Sequence, residues 1–387
     1  MARIINIHII TRLELGGAQQ NTLYTVSHLD PRKFVSYLVT GRGGLLDGEA
    51  SSRLGPRLIF CGPLVREINL FKDLRAFFDL VCILRRIRSA HPSLPVVVHT
   101  HSSKAGILGR FASKLAGLDQ IVHTYHGFAF HEFQNQWVRR LYIFIEKVSG
   151  RITIKQVFVS RDNENAARVL GLICHESRII RSGISFKTFR ETPGDRDKIR
   201  KEFGLSNSVP VVMTIACFKP QKAPLDFVAM ADAVRSQFPD VKFYMAGDGE
   251  LRSAVEAEIA RRGLKDRLIL LGWRRDIQDL LAGSDVFVLS SRWEGLPRVL
   301  IEARLAGLPA VTTDIEGASE IVSEGQTGFI VPRKDYLALA EKVLYLLRHP
   351  AEARKMGDAA RSVPLEFDID EMVRSQEKLY ESMVDGA

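Results

Sequence analysis

Short apolar runs alternate with amphipathic stretches along this chain, and the alternation occurs twice. Ile4–Ile10, Val35–Thr40, Val96–Thr100, Ile121–Tyr125 and Lys155–Ser160 are compact segments rich in valine and isoleucine, the pattern of strands buried on both faces. Between them Gly17–Leu29, Leu70–Ala90, Lys104–Leu115 and Asn135–Val148 carry helical spacing. A second series begins near Val211, with strands expected at Val211–Ala216, Lys242–Ala246, Leu268–Leu271, Val286–Ser290, Ala310–Thr313 and Gly328–Val331. Strands alternating with helices predict parallel sheets, and 387 residues exceed what one hydrophobic core usually serves. The expected architecture is α/β: two Rossmann-like, doubly wound domains, 1–185 and 186–365, with a cleft between them. A polar hinge falls near Ser182–Pro193, and a closing helix, from about Ile369 to Met383, lies within a last segment, 366–387.

Charge divides the halves. The net charge is +9, but residues 1–185 hold 25 Lys/Arg against 13 Asp/Glu, leaving 29 against 32 for the remainder. A basic first half suits an anionic membrane surface or a pyrophosphate-linked acceptor. No nucleic-acid motif or interleaved aromatic platform accompanies it, so no nucleic-acid partner is expected. No apolar run is long enough to span a bilayer, and the first residues lead straight into a strand-like segment, so the expected location is cytoplasmic, peripheral on the membrane face at most. Cys61, Cys82, Cys174 and Cys217 show no paired spacing and read as free thiols.

The chemistry concentrates where strands give way to helices, the place where open α/β sheets bind ligands. Phe287–Ser290 reads as a buried strand, Gly295 and Pro297 punctuate a turn, and Pro297 is expected as the first helical residue. Glu294 then lies in the loop and Glu302 in the helix. On one unbroken helix, eight positions would set them roughly 80° apart, so the break before the helix is what lets both face one pocket. A fixed carboxylate suits a ribose diol, and a loop carboxylate beside backbone amides suits a hexose. Two solvated surface glutamates would have the same spacing.

The whole run from Glu294 to Val311, Glu-Gly-Leu-Pro-Arg-Val-Leu-Ile-Glu-Ala-Arg-Leu-Ala-Gly-Leu-Pro-Ala-Val, resembles the Glu-x7-Glu signature of retaining GT-B glycosyltransferases, glycosyltransferase family 4 in particular. The resemblance implies a metal-independent enzyme without a cofactor. It would move a hexose or N-acetylhexosamine, from a UDP-sugar by preference, to a hydroxyl acceptor, with a lipid-linked glycan of bacterial surface polysaccharide assembly the expected context. It also implies that Glu302 takes the ribose, Glu294 the sugar, and the backbone of Gly295, Leu296, Pro297 and Arg298 lies near sugar and phosphate. Ile215–Ala223 corresponds to the family's donor-phosphate loop, with the lysine of its Lys-Gly pair at Lys222. The position commonly held by a phosphate-binding arginine is Cys217, and Lys219 is the residue able to replace that charge. Gly247 and Gly249 follow a strand at the nucleotide, and Trp273 and Arg274 match the region that holds the base. The closing helix resembles the family's helix that packs back on the first domain.

In the first half, Leu15-Gly16-Gly17-Ala18 resembles the family's N-terminal glycine loop, where Gly16 and Gly17 let helix amides approach a phosphate. Five of the ten histidines fall between His99 and His131. A metal site is the sharp alternative there, yet no carboxylate or cysteine stands at a convincing ligand spacing, and none is expected. His101, Lys104 and Phe128 are read as acceptor-side residues, and His126, in Thr124-Tyr125-His126-Gly127-Phe128, matches the family histidine that contacts the transferred sugar. The expected catalytic set is therefore His126, Glu294 and Lys222. A sugar-nucleotide hydrolase or epimerase on the same fold, releasing product without acceptor, and a noncatalytic nucleotide-sugar-binding protein, turning nothing over, are the alternatives.

Overall fold

The computed structural model describes residues 3–385, and the chain divides into two compact units, one of residues up to Gly183 together with Ile369 onward, the other Ile184–Asp368. The first unit contains β1 (Ile4–Ile10), α1 (Gly17–His28), β2 (Phe34–Thr40), α2 (Asp47–Leu54), β3 (Leu58–Phe60), α3 (Leu70–Ala90), β4 (Val96–His101), α4 (Ser103–Leu115), β5 (Ile121–Tyr125), α5 (Gln136–Gly150), β6 (Lys155–Phe158), α6 (Arg161–Val169) and β7 (Glu176–Ile179). Its seven strands are parallel in the order β3-β2-β1-β4-β5-β6-β7. Every residue of β1 is buried, and the strand alternates its sides. Ile5, Ile7 and Ile9 meet Leu80 and Leu84 of α3 and Ala105 and Ala112 of α4, while Ile4 joins Val97, Val122 and Val157 on the other face. Burial on both faces is why the strand reads as one apolar run, and it makes Asn6 and His8, polar within that run, the informative exceptions.

The second unit contains α7 (Phe186–Glu191), α8 (Arg196–Glu202), β8 (Val211–Ile215), α9 (Pro224–Arg235), β9 (Lys242–Ala246), α10 (Arg252–Arg261), β10 (Leu268–Gly272), α11 (Ile277–Ala282), β11 (Val286–Leu289), α12 (Arg298–Ala306), β12 (Ala310–Thr313), α13 (Ala318–Ile321), β13 (Gly328–Val331), α14 (Tyr336–Arg348) and α15 (Pro350–Ala360). Its parallel sheet runs β10-β9-β8-β11-β12-β13. Helix starts follow the sequence. Asp195 and Asp335 accept the amides of Lys198 and Ala338, each at 2.9 Å, and Pro224 and Pro350 open their helices at positions that need no amide hydrogen.

The closing helix α16 (Ile369–Asp385) belongs to the first unit. Its Ile369, Met372, Val373, Leu379 and Met383 cover the Ile4, Val97, Val122 and Val157 face of that sheet. Tyr24 donates to Asp370 at 2.6 Å, the Asp30 amide to Glu377 at 2.7 Å, and Lys33 pairs with Glu381 at 2.8 Å. A side chain at Gly183 would lie 2.3 Å from the backbone of Ile369, so the returning chain requires glycine there.

Several elements differ from the sequence-based expectation, most by a residue or two at an end. β3 and β7 were not anticipated, because both are short edge strands. β7, Glu-Ser-Arg-Ile, alternates exposed and half-buried positions, so it carries no apolar run. The strand expected to reach Ser160 ends at Phe158, since Ser160 caps α6 by accepting the amide of Asn163 at 3.2 Å. Pro297 is the residue before α12 and not its first, the helix beginning at Arg298.

Candidate active site

In the second unit the chemistry-bearing loops stand side by side at the carboxyl ends of adjacent strands. Following the sheet order, they are Gly272–Trp273 at the end of β10, Gly247–Gly249 after β9, Cys217–Lys222 after β8, Ser290–Pro297 after β11, and Asp314–Glu316 after β12. Backbone bonds join them. The Gly247 amide donates to Gly272 at 2.7 Å, that of Phe218 to Asp248 at 2.9 Å, and that of Arg292 to Gln221 at 2.7 Å. Ser290 donates to the carbonyls of Lys222 and Ala223, each at 3.1 Å, and Thr313 to the Ser291 carbonyl at 2.5 Å.

Glu294 sits at the centre of this stitching and is only 9% exposed. Its carboxylate accepts from the Lys222 ammonium and from the Ser291 hydroxyl at 2.8 Å. Gln221 reaches the Trp293 carbonyl at 2.9 Å and the second Glu294 oxygen at 3.4 Å, while Glu316 accepts the Glu294 amide at 3.1 Å. The loop carboxylate and the lysine therefore form one half-buried ion pair whose geometry three neighbouring strands fix. Ala223, following Lys222 where the family pair has glycine, is left-handed at φ 44°, ψ 54°, which costs about 1–2 kcal/mol for a residue with a Cβ. That strain lies in the tight turn that aims Lys222 at Glu294.

Glu302 lies in the second turn of α12, four positions after Arg298, both half-buried. Loss of hydration raises the Glu302 carboxyl above the usual carboxylate range, with Arg298 drawing it back, and the same burial lowers the Arg298 guanidinium. Leu296 and Gly295 are buried ahead of the helix start. Lys219 is half-buried at the head of the short turn Pro220–Lys222. A Cβ on Gly247 would lie 2.0 Å from the Ala216 carbonyl, so loop against loop accounts for that glycine; Gly249 packs likewise on Phe218. Trp273 is half exposed. Arg274 is committed to Asp276 and Glu202, at 2.8 and 2.7 Å, which hold its guanidinium above its ordinary range.

In the first unit the predicted residues gather at the carboxyl ends of β1, β4 and β5, also neighbours. Gly16 precedes α1 and Gly17 opens it. His101 ends β4 and is buried, and its Nδ1 lies 3.1 Å from Nε2 of His126, which follows β5. Lys104, in the first turn of α4, pairs with Asp73 at 2.6 Å and with the Glu67 carbonyl, tying α4 to α3. Phe128 stacks on Phe130 at 4.7 Å. Sequence reasoning missed Gln221, Ser291, Thr313 and Glu316 around Glu294, and His8, Tyr380 and Gln376 around His101. The signals available were Glu316 just past β12 and the polar interruption of β1 at His8.

Two parallel doubly wound sheets, each with its polar residues at the carboxyl ends of central strands, define the GT-B class. A profile described as Glycosyltransferase Family 4 matches residues 15–187, and one described as Glycosyl transferases group 1 matches 195–363. The chain is 33% identical over 325 residues to UDP-Gal:alpha-D-GlcNAc-diphosphoundecaprenol alpha-1,3-galactosyltransferase of Escherichia coli, covering 83% of this chain and 82% of that one. It is 26% identical over 327 residues to N,N'-diacetylbacillosaminyl-diphospho-undecaprenol alpha-1,3-N-acetylgalactosaminyltransferase of Campylobacter jejuni, covering 82% and 84%. In fold it is similar to HepE of Anabaena, solved with UDP and glucose, at TM-score 0.82, 19% identity and coverage of 98% and 99%. The chain belongs to the group 1 glycosyltransferases, glycosyltransferase family 4, and is a glycosyltransferase.

Proposed function

We propose that this enzyme transfers a hexose or N-acetylhexosamine from a nucleoside diphosphate sugar, UDP-linked by preference, to a hydroxyl of a lipid-linked glycan in bacterial surface polysaccharide assembly, with retention of configuration and without a metal. The observation that carries this reading is the Lys222–Glu294 pair beside the amino end of α12, with Glu302 one turn inside it. Lys222 and the helix amides supply positive charge to a departing diphosphate, the role a metal plays elsewhere. Glu302 accepts from a ribose diol. Glu294 orients the sugar. The bond from C1 to the phosphate oxygen breaks, the acceptor oxygen bonds C1 on the same face, and the leaving phosphate takes the acceptor proton. The undecaprenol-diphosphate substrates in the names of the E. coli and C. jejuni relatives support a lipid-linked acceptor here.

Calorimetry with UDP-, GDP- and ADP-sugars, with and without Mg²⁺, tests the donor. One nucleotide should bind selectively and independently of Mg²⁺, and Glu302→Ala should weaken it roughly 10- to 100-fold, the worth of hydrogen bonds to a charged group. Failure of all of them to bind would overturn the reading.

An acceptor carried on lipid calls for a membrane face, and the first unit has one to offer. The amino ends of α3 and α5 expose Ile68, Leu70, Phe71 and Leu74, and Trp137, Leu141 and Phe144, with Phe71 85% and Trp137 75% exposed and Arg140 over the Trp137 ring. Among the described residues no helix is long and apolar enough to cross a bilayer. Such apolar residues beside excess arginine suit the surface of an anionic membrane. Sedimentation with anionic vesicles should be strong at low salt and fall steeply as salt rises. Absent or salt-insensitive binding would favour a soluble acceptor.

A further inference from the structure

Arg292 lies two residues before Glu294 and is tied to three other elements of the second unit. Its amide donates at 2.7 Å to the carbonyl of Gln221, the neighbour of Lys222 in the loop after β8. Its guanidinium stands 3.6 Å from the carboxylate of Asp226, in the first turn of α9. Its carbonyl accepts from Arg333, just past β13, at 3.3 Å. Arg292 and Asp226 are both half-buried. Burial raises the Asp226 carboxyl above the usual carboxylate range and Arg292 draws it back, so the two charges answer one another.

Asp226 stands on the turn that carries Lys222. Its amide donates to the Ala223 carbonyl at 3.0 Å, and Ala223, between Lys222 and Asp226, is the residue held in the left-handed conformation. A residue with a Cβ stays there only where its surroundings fix it. The loop after β11 supplies that restraint: Ser290 donates to the Lys222 and Ala223 carbonyls, and Arg292 pairs with Asp226. The loops after β8 and β11 are therefore joined both before and after Lys222, at Gln221 and at Asp226, and Arg292 is a partner in each join. The first join is made by backbone and survives any side-chain change. The second is made by charge and can be removed by itself.

We propose that the Asp226–Arg292 pair positions the Lys222–Glu294 pair for catalysis, holding the loop after β11 against the turn that aims Lys222. Asp226 and Arg292 act through that pair as positioning residues, and their part in catalysis rests on the reading of Lys222 and Glu294 given above. Removal of either charge strands the other half-buried and frees the loop to drift, and a misplacement on the order of 1 Å costs a reacting group about 10²-fold in rate.

Arg292→Met, which keeps the apolar stem, and Asp226→Asn, which keeps the shape, should each lower kcat roughly 10- to 100-fold while donor affinity by calorimetry stays within about threefold. Arg292→Lys keeps the charge and should recover most of the loss. In a Lys222→Ala background, Arg292→Met should change kcat by less than about twofold, because the group it positions is gone; a general weakening of the fold would cost the same in both backgrounds. Hydrogen exchange of the free enzyme reads the restraint without turnover. The amides of Arg292 and Glu294, bonded to Gln221 and Glu316, should exchange at least about tenfold faster in Arg292→Met, while β8 and β11 keep wild-type protection. Wild-type kcat in both single variants, an undiminished effect of Arg292→Met in the Lys222→Ala background, or unchanged exchange at Arg292 and Glu294 would overturn the proposal. Failure of the donor reading would show in calorimetry of the wild-type enzyme and leave the exchange result standing.

Discussion

Glu294→Gln should leave the fold and donor affinity nearly intact and lower kcat by on the order of 10²–10³, the usual worth of a charge placed against a developing transition state. Glutamine keeps the shape and can still accept from the Ser291 hydroxyl that sits 2.8 Å from the carboxylate, but it cannot balance the Lys222 ammonium. Lys222→Ala should lower turnover comparably, because it removes positive charge from the departing diphosphate. The double variant should lose much less than the product of the two, since the groups are in contact and act as a unit. Steady-state kinetics with saturating donor settle the matter. Wild-type kcat in Glu294→Gln would remove this residue from the chemistry, and a loss confined to KM would make it a binding group only.

Both sheets were legible because parallel strands covered on two faces read as continuous apolar runs, and the glycine and proline punctuation at Gly295 and Pro297 separated loop from helix. That separation is what puts Glu294 in a loop and Glu302 in α12. Edge strands escaped, since β3 has only three residues and β7 alternates exposed and half-buried positions, so neither makes a long apolar run. The partners of Glu294 escaped for a different reason. Gln221, Ser291, Thr313 and Glu316 are ordinary polar residues until the order β8-β11-β12 brings their loops together. The histidine cluster is the extreme case. His8 lies 93 positions from His101, and Tyr380 lies 281 from His99, so only the register of β1 on β4 and the return of α16 create the cluster. The rings expected near the site were visible as a cluster in sequence; the Tyr380 hydroxyl that meets His99 was not.

Stability should respond most to a group remote from Glu294. Arg110 of α4 is fully buried, and its guanidinium donates to Glu146 of α5 at 2.7 Å, with Tyr125 also donating to that carboxylate at 3.2 Å. Arg110 bonds further to the Gly106 carbonyl at 2.9 Å. Glu146→Leu keeps the volume and strips the counter-charge, leaving a guanidinium with no water to turn to, so unfolding free energy should drop by about 3–5 kcal/mol. Arg110→Met alone should cost a similar amount, because it strands the carboxylate instead. The double variant Arg110→Met/Glu146→Leu removes both desolvation penalties and should recover most of the loss. Denaturant unfolding of the four proteins, with the spectroscopic signals of the two units followed separately, measures the coupling. If the double variant is as unstable as the sum of the singles, the pair acts by packing and not by charge. If Glu146→Leu costs less than about 1 kcal/mol, water reaches the guanidinium and the pair behaves like an exposed one.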